Sequence, residues 1–148
     1  MRMALGDRDT GRMPSHAPHL RPTAGERCPC RSGSTFEDCC GPLLARDAEA
    51  PTAVQLMRSR YTAFAVGDVD YLRATWHPDT RPHDLDLDDE MQWIALEIVA
   101  TERGGPFDRE GAVEFRASYR SADERGVLHE RSRFIRDGGS WFYVDSDA

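Results

Sequence analysis

All four cysteines of this chain fall inside "CPCRSGSTFEDCC", from Cys28 to Cys40, in the spacing C-x-C-x8-C-C. Few covalent or metal arrangements accept that crowding. A zinc ion takes four thiolates at about 2.3 Å in a tetrahedron, and a close pair from each side of a short loop supplies them. Ser34 and Glu37 form an S-x-x-E capping box, which predicts a helical turn carrying Cys39 and Cys40 back towards Cys28 and Cys30. Gly33 permits the turn, and backbone N–H groups freed there are expected to donate to the sulfurs. Disulfides across adjacent residues, or across one, are strained. Crossed pairings are geometrically feasible but disfavoured in a reducing compartment. A redox site would more usually show C-x-x-C at a strand–helix junction. Zinc is therefore preferred over a disulfide or redox centre and over unliganded thiols. A closed four-sulfur shell leaves no position for substrate, so the Zn²⁺ would be structural. A loop this short has no core of its own and would take most of its order from the metal.

The remaining composition fits one soluble domain. The chain has 148 residues, 39% of them hydrophobic, with a net charge of -7. Its 19 basic residues are all arginine, and asparagine is also absent, a bias that a GC-rich genome explains without nucleic-acid binding. The acidic balance argues further against a polyanion-binding surface. No apolar run approaches the roughly 20 residues needed to cross a bilayer. Residues 1–26 have no apolar core behind their charges and read as a mobile leader, not a secretory signal. The expected compartment is thus the cytoplasm. His16 and His19 read as solvated, and Met3 and Met13 offer alternative translation starts.

From Pro51 the pattern becomes helical. "PTAVQLMRSRYTAFAVGD" puts Val54, Met57, Tyr61 and Phe64 at helical spacing, with a Thr52–Gln55 capping box and Gly67 as the stop. Asp68 reads as the N-cap of a second helix through "VDYLRATWH", ended by Pro78, with Tyr71, Leu72, Thr75 and Trp76 on its buried side. Residues 79–90 form a solvated acidic stretch; a calcium loop would need a mid-loop Gly and an in-register Glu that are missing. "QWIALEIVATE" is apolar on both faces and predicts a central, covered strand. "GAVEFRASYRS" alternates, with Val113, Phe115, Ala117 and Tyr119 inward. "GVLHERSRFIRDGGSWFYVDS" predicts two strands joined at "DGG". Helices followed by four antiparallel strands make an α+β domain.

"CPCRSGSTFEDCCGP" resembles the SEC-C motif, a small zinc-binding element found in many bacterial proteins. With "LMRSRYTAF", "DVDYLRATWHP", "ERSRF" and "WFYVD" in order, residues 28–145 resemble the YchJ family of uncharacterised bacterial proteins. The resemblance implies a SEC-C element at 27–45. It also implies a nuclear-transport-factor-2-like domain at 50–146, with its N-terminal helices packed on a curved, cone-like, four-stranded sheet. It implies no assigned activity. Two departures stand out. Arg31 replaces the usual Gly after the first cysteine pair. "STFED" is acidic where lysines are usual, and only Phe36 keeps the aromatic place. Some relatives carry a second SEC-C copy at the C-terminus; none precedes Ala148, so a single grip on a partner is expected.

A cone encloses a pocket between sheet and helices, the default place for a ligand. Arg58 and Tyr61 on the first helix, Trp76 and His77 after the second, and Arg131 and Arg133 on the "HERSRFI" strand are the candidate ligand-binding residues. Period two puts His129, Arg131, Arg133 and Ile135 on one face and Glu130, Ser132 and Phe134 on the other. An arginine-lined mouth would suit a small anionic or aromatic ligand. The alternative is a surface ladder pairing Arg58 or Arg60 with Glu130 or Asp70. His77 is the best general-base candidate, although Asp70 lies about two helical turns away, too far to orient it. Trp76, Trp93 and Trp141 read as core or interface aromatics. Three functional readings follow. The first is a zinc-stabilised adaptor that contacts a protein partner through the knuckle and holds a small ligand in the cone. The others are an enzyme working in the cone and a homodimerising domain.

Overall fold

The cap, breaker and turn signals place the boundaries of most elements. In the computed structural model, residues 21–87 and 90–147 are described. Residues 1–20, with Met3, Met13, His16 and His19, lie outside the described residues, as do Asp88 and Asp89 of the acidic stretch. A 3-10 turn at Phe36–Asp38 leads into the short helix α1, Gly41–Leu44. Helix α2 spans Ala53–Val66 and α3 spans Val69–Ala74. Four strands follow: β1 Gln92–Arg103, β2 Glu110–Arg120, β3 Arg125–Asp137 and β4 Ser140–Asp147. They form one antiparallel meander in the order β1-β2-β3-β4.

Helix α2 starts where the Thr52 hydroxyl accepts the Gln55 N–H at 3.2 Å, a cap that stabilises a helix by about 1 kcal/mol. It stops at Gly67, whose φ of 77° suits a residue without a side chain. Asp68 then caps α3 by accepting the Tyr71 N–H at 3.0 Å. The β3–β4 turn uses Gly138 and Gly139 at φ 62° and 90°, as a tight hairpin demands.

Four local expectations are corrected. The helical turn in the cysteine loop begins one residue late. Thr35, not Ser34, is its N-cap, and Thr35 bonds Asp38 at 3.2 Å, so the Ser34–Glu37 capping box does not form. Helix α3 ends at Ala74, short of Trp76 and His77. Tyr143 of β4 captures that segment: the Tyr143 N–H donates to Thr75 O, and the His77 N–H donates to Tyr143 O, both at 2.8 Å. Strand β1 is an edge strand, not a central one, with Ile94 and Val99 exposed and Leu96 buried. An apolar run on both faces cannot distinguish these positions, because the sequence does not say which strands flank it. Finally, residues 21–26 of the sequence-assigned leader are tied down. Arg21 pairs with Asp68 at 2.6 Å, and Ala24 O accepts the Glu37 N–H.

The core lies between α2 and the inner sheet face, built from Leu56, Met57, Tyr61 and Phe64 against Val113, Phe115, Ala117, Phe134 and Tyr143. Cys28, Cys30 and Cys40 belong to this same cluster. Burial runs around much of α2 and includes Ser59, Arg60 and Thr62, because α3 and the cysteine loop cover the flanks the sheet leaves open. Among the described residues, no helix is long and apolar enough to cross a membrane.

Candidate metal centre

The cysteine loop is folded by its backbone. An antiparallel bridge joins Arg27 to Thr35, Ser34 O accepts the Cys28 N–H at 2.9 Å, and Cys28 O accepts the Arg31 N–H at 3.1 Å. Arg31 and Gly33 hold φ values of 65° and 96°. The left-handed site at Arg31 explains why glycine would be at ease there. Arg31 recovers part of that strain through its side chain, which donates to Ile94 O of β1 at 2.9 Å. The 3-10 turn and α1 then bring Cys39 and Cys40 against the first pair.

The four sulfurs lie within 4.8 Å of one another, with Cys30–Cys39 at 3.5 Å and Cys39–Cys40 at 3.9 Å. A regular tetrahedron with 2.3 Å spokes has edges of about 3.8 Å, so the four sulfurs are grouped on the scale of a divalent-ion site. The cysteines are free, and their spacing exceeds the roughly 2.05 Å of a disulfide. Three of the four are buried and Cys39 is half-buried.

The charge balance inside this cluster also favours a cation. Among metal-free thiols, hydrogen bonding from Cys28 and then Cys40 holds Cys30 far down, making it the thiolate. Hydrogen bonding to Cys28 and Cys30, then burial, drives Cys40 far up. Burial pushes Cys39 up to about 11. Ionisation of Cys39 and Cys40 is thus opposed by burial and by repulsion from Cys30. A bound Zn²⁺ would supply the charge that lets all four ionise.

Among the described residues, the polar neighbours of these sulfurs outside the cluster are two hydroxyls, not the expected backbone N–H groups. Ser32 Oγ lies 3.1 Å from Cys39 Sγ. Thr62 Oγ1 of α2 donates to Cys40 Sγ at 3.3 Å and lies 3.8 Å from Cys28 Sγ. Arg58, one turn earlier, donates to Cys30 O at 2.9 Å. The centre is therefore fastened to the central helix of the α+β domain. Thr62 was missed in the sequence, where it looks like an ordinary helical threonine; its spacing of four from Arg58 was the available signal.

The residues expected to line a cone mouth do not meet. Arg58 serves the cysteine loop. Tyr61 is fully buried, edge-on to Trp93, and burial raises its phenol pKa. Arg131 and Arg133 point to the outer sheet face, where they pair with Glu102 at 2.8 Å and Asp145 at 2.5 Å. Trp76 is buried edge-on to Tyr143. Trp141 is buried too, and Trp93 packs against the core.

Arg60, expected on a surface ladder with Glu130 or Asp70, is instead wholly buried. Its Nη1 donates to Leu72 O and Thr75 Oγ1 at 2.8 and 2.6 Å, and its guanidinium lies over Tyr143 and Trp76. Burial pulls its pKa down to about 9. Aromatic faces and carbonyl dipoles stand in for a carboxylate.

His77 has a carboxylate partner that sequence spacing did not reveal. Its Nε2–H donates to Asp137 at the end of β3 at 3.1 Å, and its Nδ1 accepts the Asp79 N–H at 3.1 Å. Both ring nitrogens are engaged, so no lone pair is left for a general base. The ring pins the segment after α3 to the hairpin.

Comparison with known proteins agrees with this architecture. A family model described as "YchJ, middle NTF2-like domain" matches residues 52–146, and the SEC-C motif model matches residues 26–42. A UPF0225 protein of Streptomyces coelicolor is 53% identical over 120 residues, covering 81% of this chain and 94% of its own. One from Chromobacterium violaceum is 50% identical over 121 residues, covering 79% and 89%. In solution, a SEC-C motif containing protein from Rhodopseudomonas palustris has a structure similar to this one at TM-score 0.73 and 38% identity, covering 82% of this chain and 97% of its own. Matched by the middle-domain model over 52–146 and by the SEC-C model at its cysteine loop, and half identical to UPF0225 proteins along most of its length, the chain belongs to the YchJ (UPF0225) family, a SEC-C motif joined to a nuclear-transport-factor-2-like domain.

Proposed function

We propose that this protein is a zinc-stabilised binding module of the cytoplasm, in which a closed four-sulfur site shapes a surface that contacts a protein partner. The observation that carries this reading is the convergence of all four sulfurs on one ion-sized centre that is anchored to α2. Such a centre orders surface loops and offers no open coordination position for chemistry. The space between α2 and the sheet is filled by Leu56, Met57, Tyr61, Phe115, Phe134 and Tyr143, which weighs against chemistry inside the cone. Two measurements test the proposal. Metal analysis of purified protein is expected to give one zinc per chain; two disulfides and no metal would overturn it. Partner capture with wild type and with Cys39→Ser is expected to differ, and equal capture by both would remove the cysteine loop from the interface.

One observation favours a second reading, a small ligand inside the cone. Arg60 Nε and Nη2 and Trp76 Nε1 are buried donors without a hydrogen-bond partner. They would suit a small anion. Titration with chloride, acetate and phosphate, followed by tryptophan fluorescence, tests this; no response to any of them would exclude it. For the homodimer reading, light scattering at high concentration is decisive. The charge pairs Arg116–Glu97, Arg131–Glu102 and Arg133–Asp145 on the outer sheet face do not favour a broad apolar contact there.

A further inference from the structure

Beside the cysteine loop lies a groove of about 300 Å³, lined by Pro22, Ala24, Phe36, Gly41, Pro42 and Ala45, with Glu37 and Asp47 also lining it. Three features of the fold create it. The Glu37 N–H donates to Ala24 O at 3.2 Å, holding the incoming chain against the 3-10 turn. Gly41 lets α1 start against the backbone of Phe36, since a Cβ there would come within 2.7 Å of Phe36 O. Pro42 O accepts the Asp47 and Ala48 N–H groups at 2.9 and 3.3 Å, which brings Asp47 back over the same floor. The floor is therefore apolar and its backbone polar groups are largely used internally.

Charge decides what fits. The two acidic side chains in the lining, Glu37 and Asp47, are joined there by no basic one, and among the described residues neither has a side-chain partner. Nearby arginines are engaged elsewhere: Arg21 with Asp68, Arg27 with Gly33 O, and Arg46 with Asp70 O and the Tyr71 ring. The chain as a whole carries -7. We infer that this groove docks a short partner segment that combines apolar side chains with arginine or lysine: the apolar groups would cover Phe36 and Pro42, and the cations would meet Glu37 and Asp47. This deepens the binding-module reading and rests on it. The groove's volume is at the lower end of known ligand sites, roughly 300–1,000 Å³, so the segment is short. Aliphatic contact supplies affinity, and the carboxylates select against acidic partners.

The test uses full-length, metal-loaded protein and fluorescent peptides read by anisotropy. One peptide alternates leucine and proline with arginine, a second replaces arginine by glutamate, and a third replaces the apolar residues by serine. The first alone is expected to bind, and the double variant Glu37→Arg/Asp47→Arg is expected to weaken it by about tenfold or more while keeping its full zinc content. Both substitutions are on exposed residues, so folding is preserved, and metal content confirms that the cysteine site is intact. Equal binding by wild type and double variant, tighter binding of the glutamate peptide, or no binding of any peptide would overturn the inference. Self-association that the double variant abolishes, seen by analytical ultracentrifugation, would overturn it in favour of a second copy as occupant. Loss of partner capture in Cys39→Ser with no loss in the double variant would retain the binding module and reject this groove.

Discussion

Replacing Thr62 with valine separates a structural helix residue from one that tunes a metal centre. Thr62 is fully buried, and its hydroxyl donates to Cys40 Sγ at 3.3 Å while approaching Cys28 Sγ at 3.8 Å. Valine is nearly isosteric and leaves no large void. In the metal-loaded protein the lost bond is to a charged sulfur, for which about 1.5–3 kcal/mol is typical. Sulfur is a weak acceptor and shares its charge with the metal, so the lower end applies, about 1.5 kcal/mol or roughly tenfold in affinity. In the metal-free protein Cys40 is a neutral thiol, because hydrogen bonding and burial drive its pKa up. The same hydroxyl then matters little, and Thr62→Val is expected to leave metal-free stability within about 0.5 kcal/mol. The two effects are measured by competition with a chromophoric chelator and by denaturant unfolding with chelator present. Thr62→Ser is expected to restore affinity. Unchanged metal affinity, or an equal loss of stability with and without metal, would refute the reasoning.

Chelation is expected to lower the unfolding temperature of the whole domain in one transition, because three metal-site cysteines share the core of α2. At free zinc one hundred times the dissociation constant the linkage contributes about 2.7 kcal/mol, and calorimetry resolving two separate transitions would contradict it. Gly41→Ala places a Cβ against Phe36 O at 2.7 Å and is expected to cost about 1–3 kcal/mol and weaken zinc binding. Unchanged denaturant midpoints and chelator competition would disprove that. Arg60→Met is expected to change stability by no more than about 1 kcal/mol, because removing a buried cation relieves desolvation as it deletes hydrogen bonds and cation–π contacts. Since the folded pKa of Arg60 is depressed to about 9, its desolvation penalty is complete below that pH. The penalty eases as pH rises from 9 towards 12.5, where the unfolded chain binds the extra proton, so the Arg60 contribution to stability rises with pH. Urea titrations of wild type and variant at pH 7 and 10 are therefore expected to show the wild type gaining relative to Arg60→Met; a relative loss would reverse the sign.

The family's fold was readable because its signals are local. Thr52, Gly67, Asp68 and the Gly138–Gly139 turn each act on the backbone within a few residues, and alternation along β2 selected Val113, Phe115 and Ala117 for the core. The four cysteines were equally plain, since a cluster in thirteen residues is near in space whatever the fold. Signals failed where the deciding neighbour was distant. Nothing within "QWIALEIVATE" shows that it has one strand beside it instead of two. The capture of Trp76 and His77 by Tyr143, and the meeting of His77 with Asp137, join residues about 60 positions apart.

Residue chemistry and short-range spacing thus determined, from sequence alone, the cysteine cluster, both ends of α2, the start of α3, the hairpin and the α+β class. Tertiary structure alone decided that Thr62 faces the sulfurs, that Arg60 goes inside against Tyr143 and Trp76, and that Arg131 and Arg133 face away from the core. The reason is physical. A polar side chain on a helix or strand has no fixed destination until another element arrives to solvate or exclude it, and here α3, β4 and the cysteine loop arrive from far along the chain.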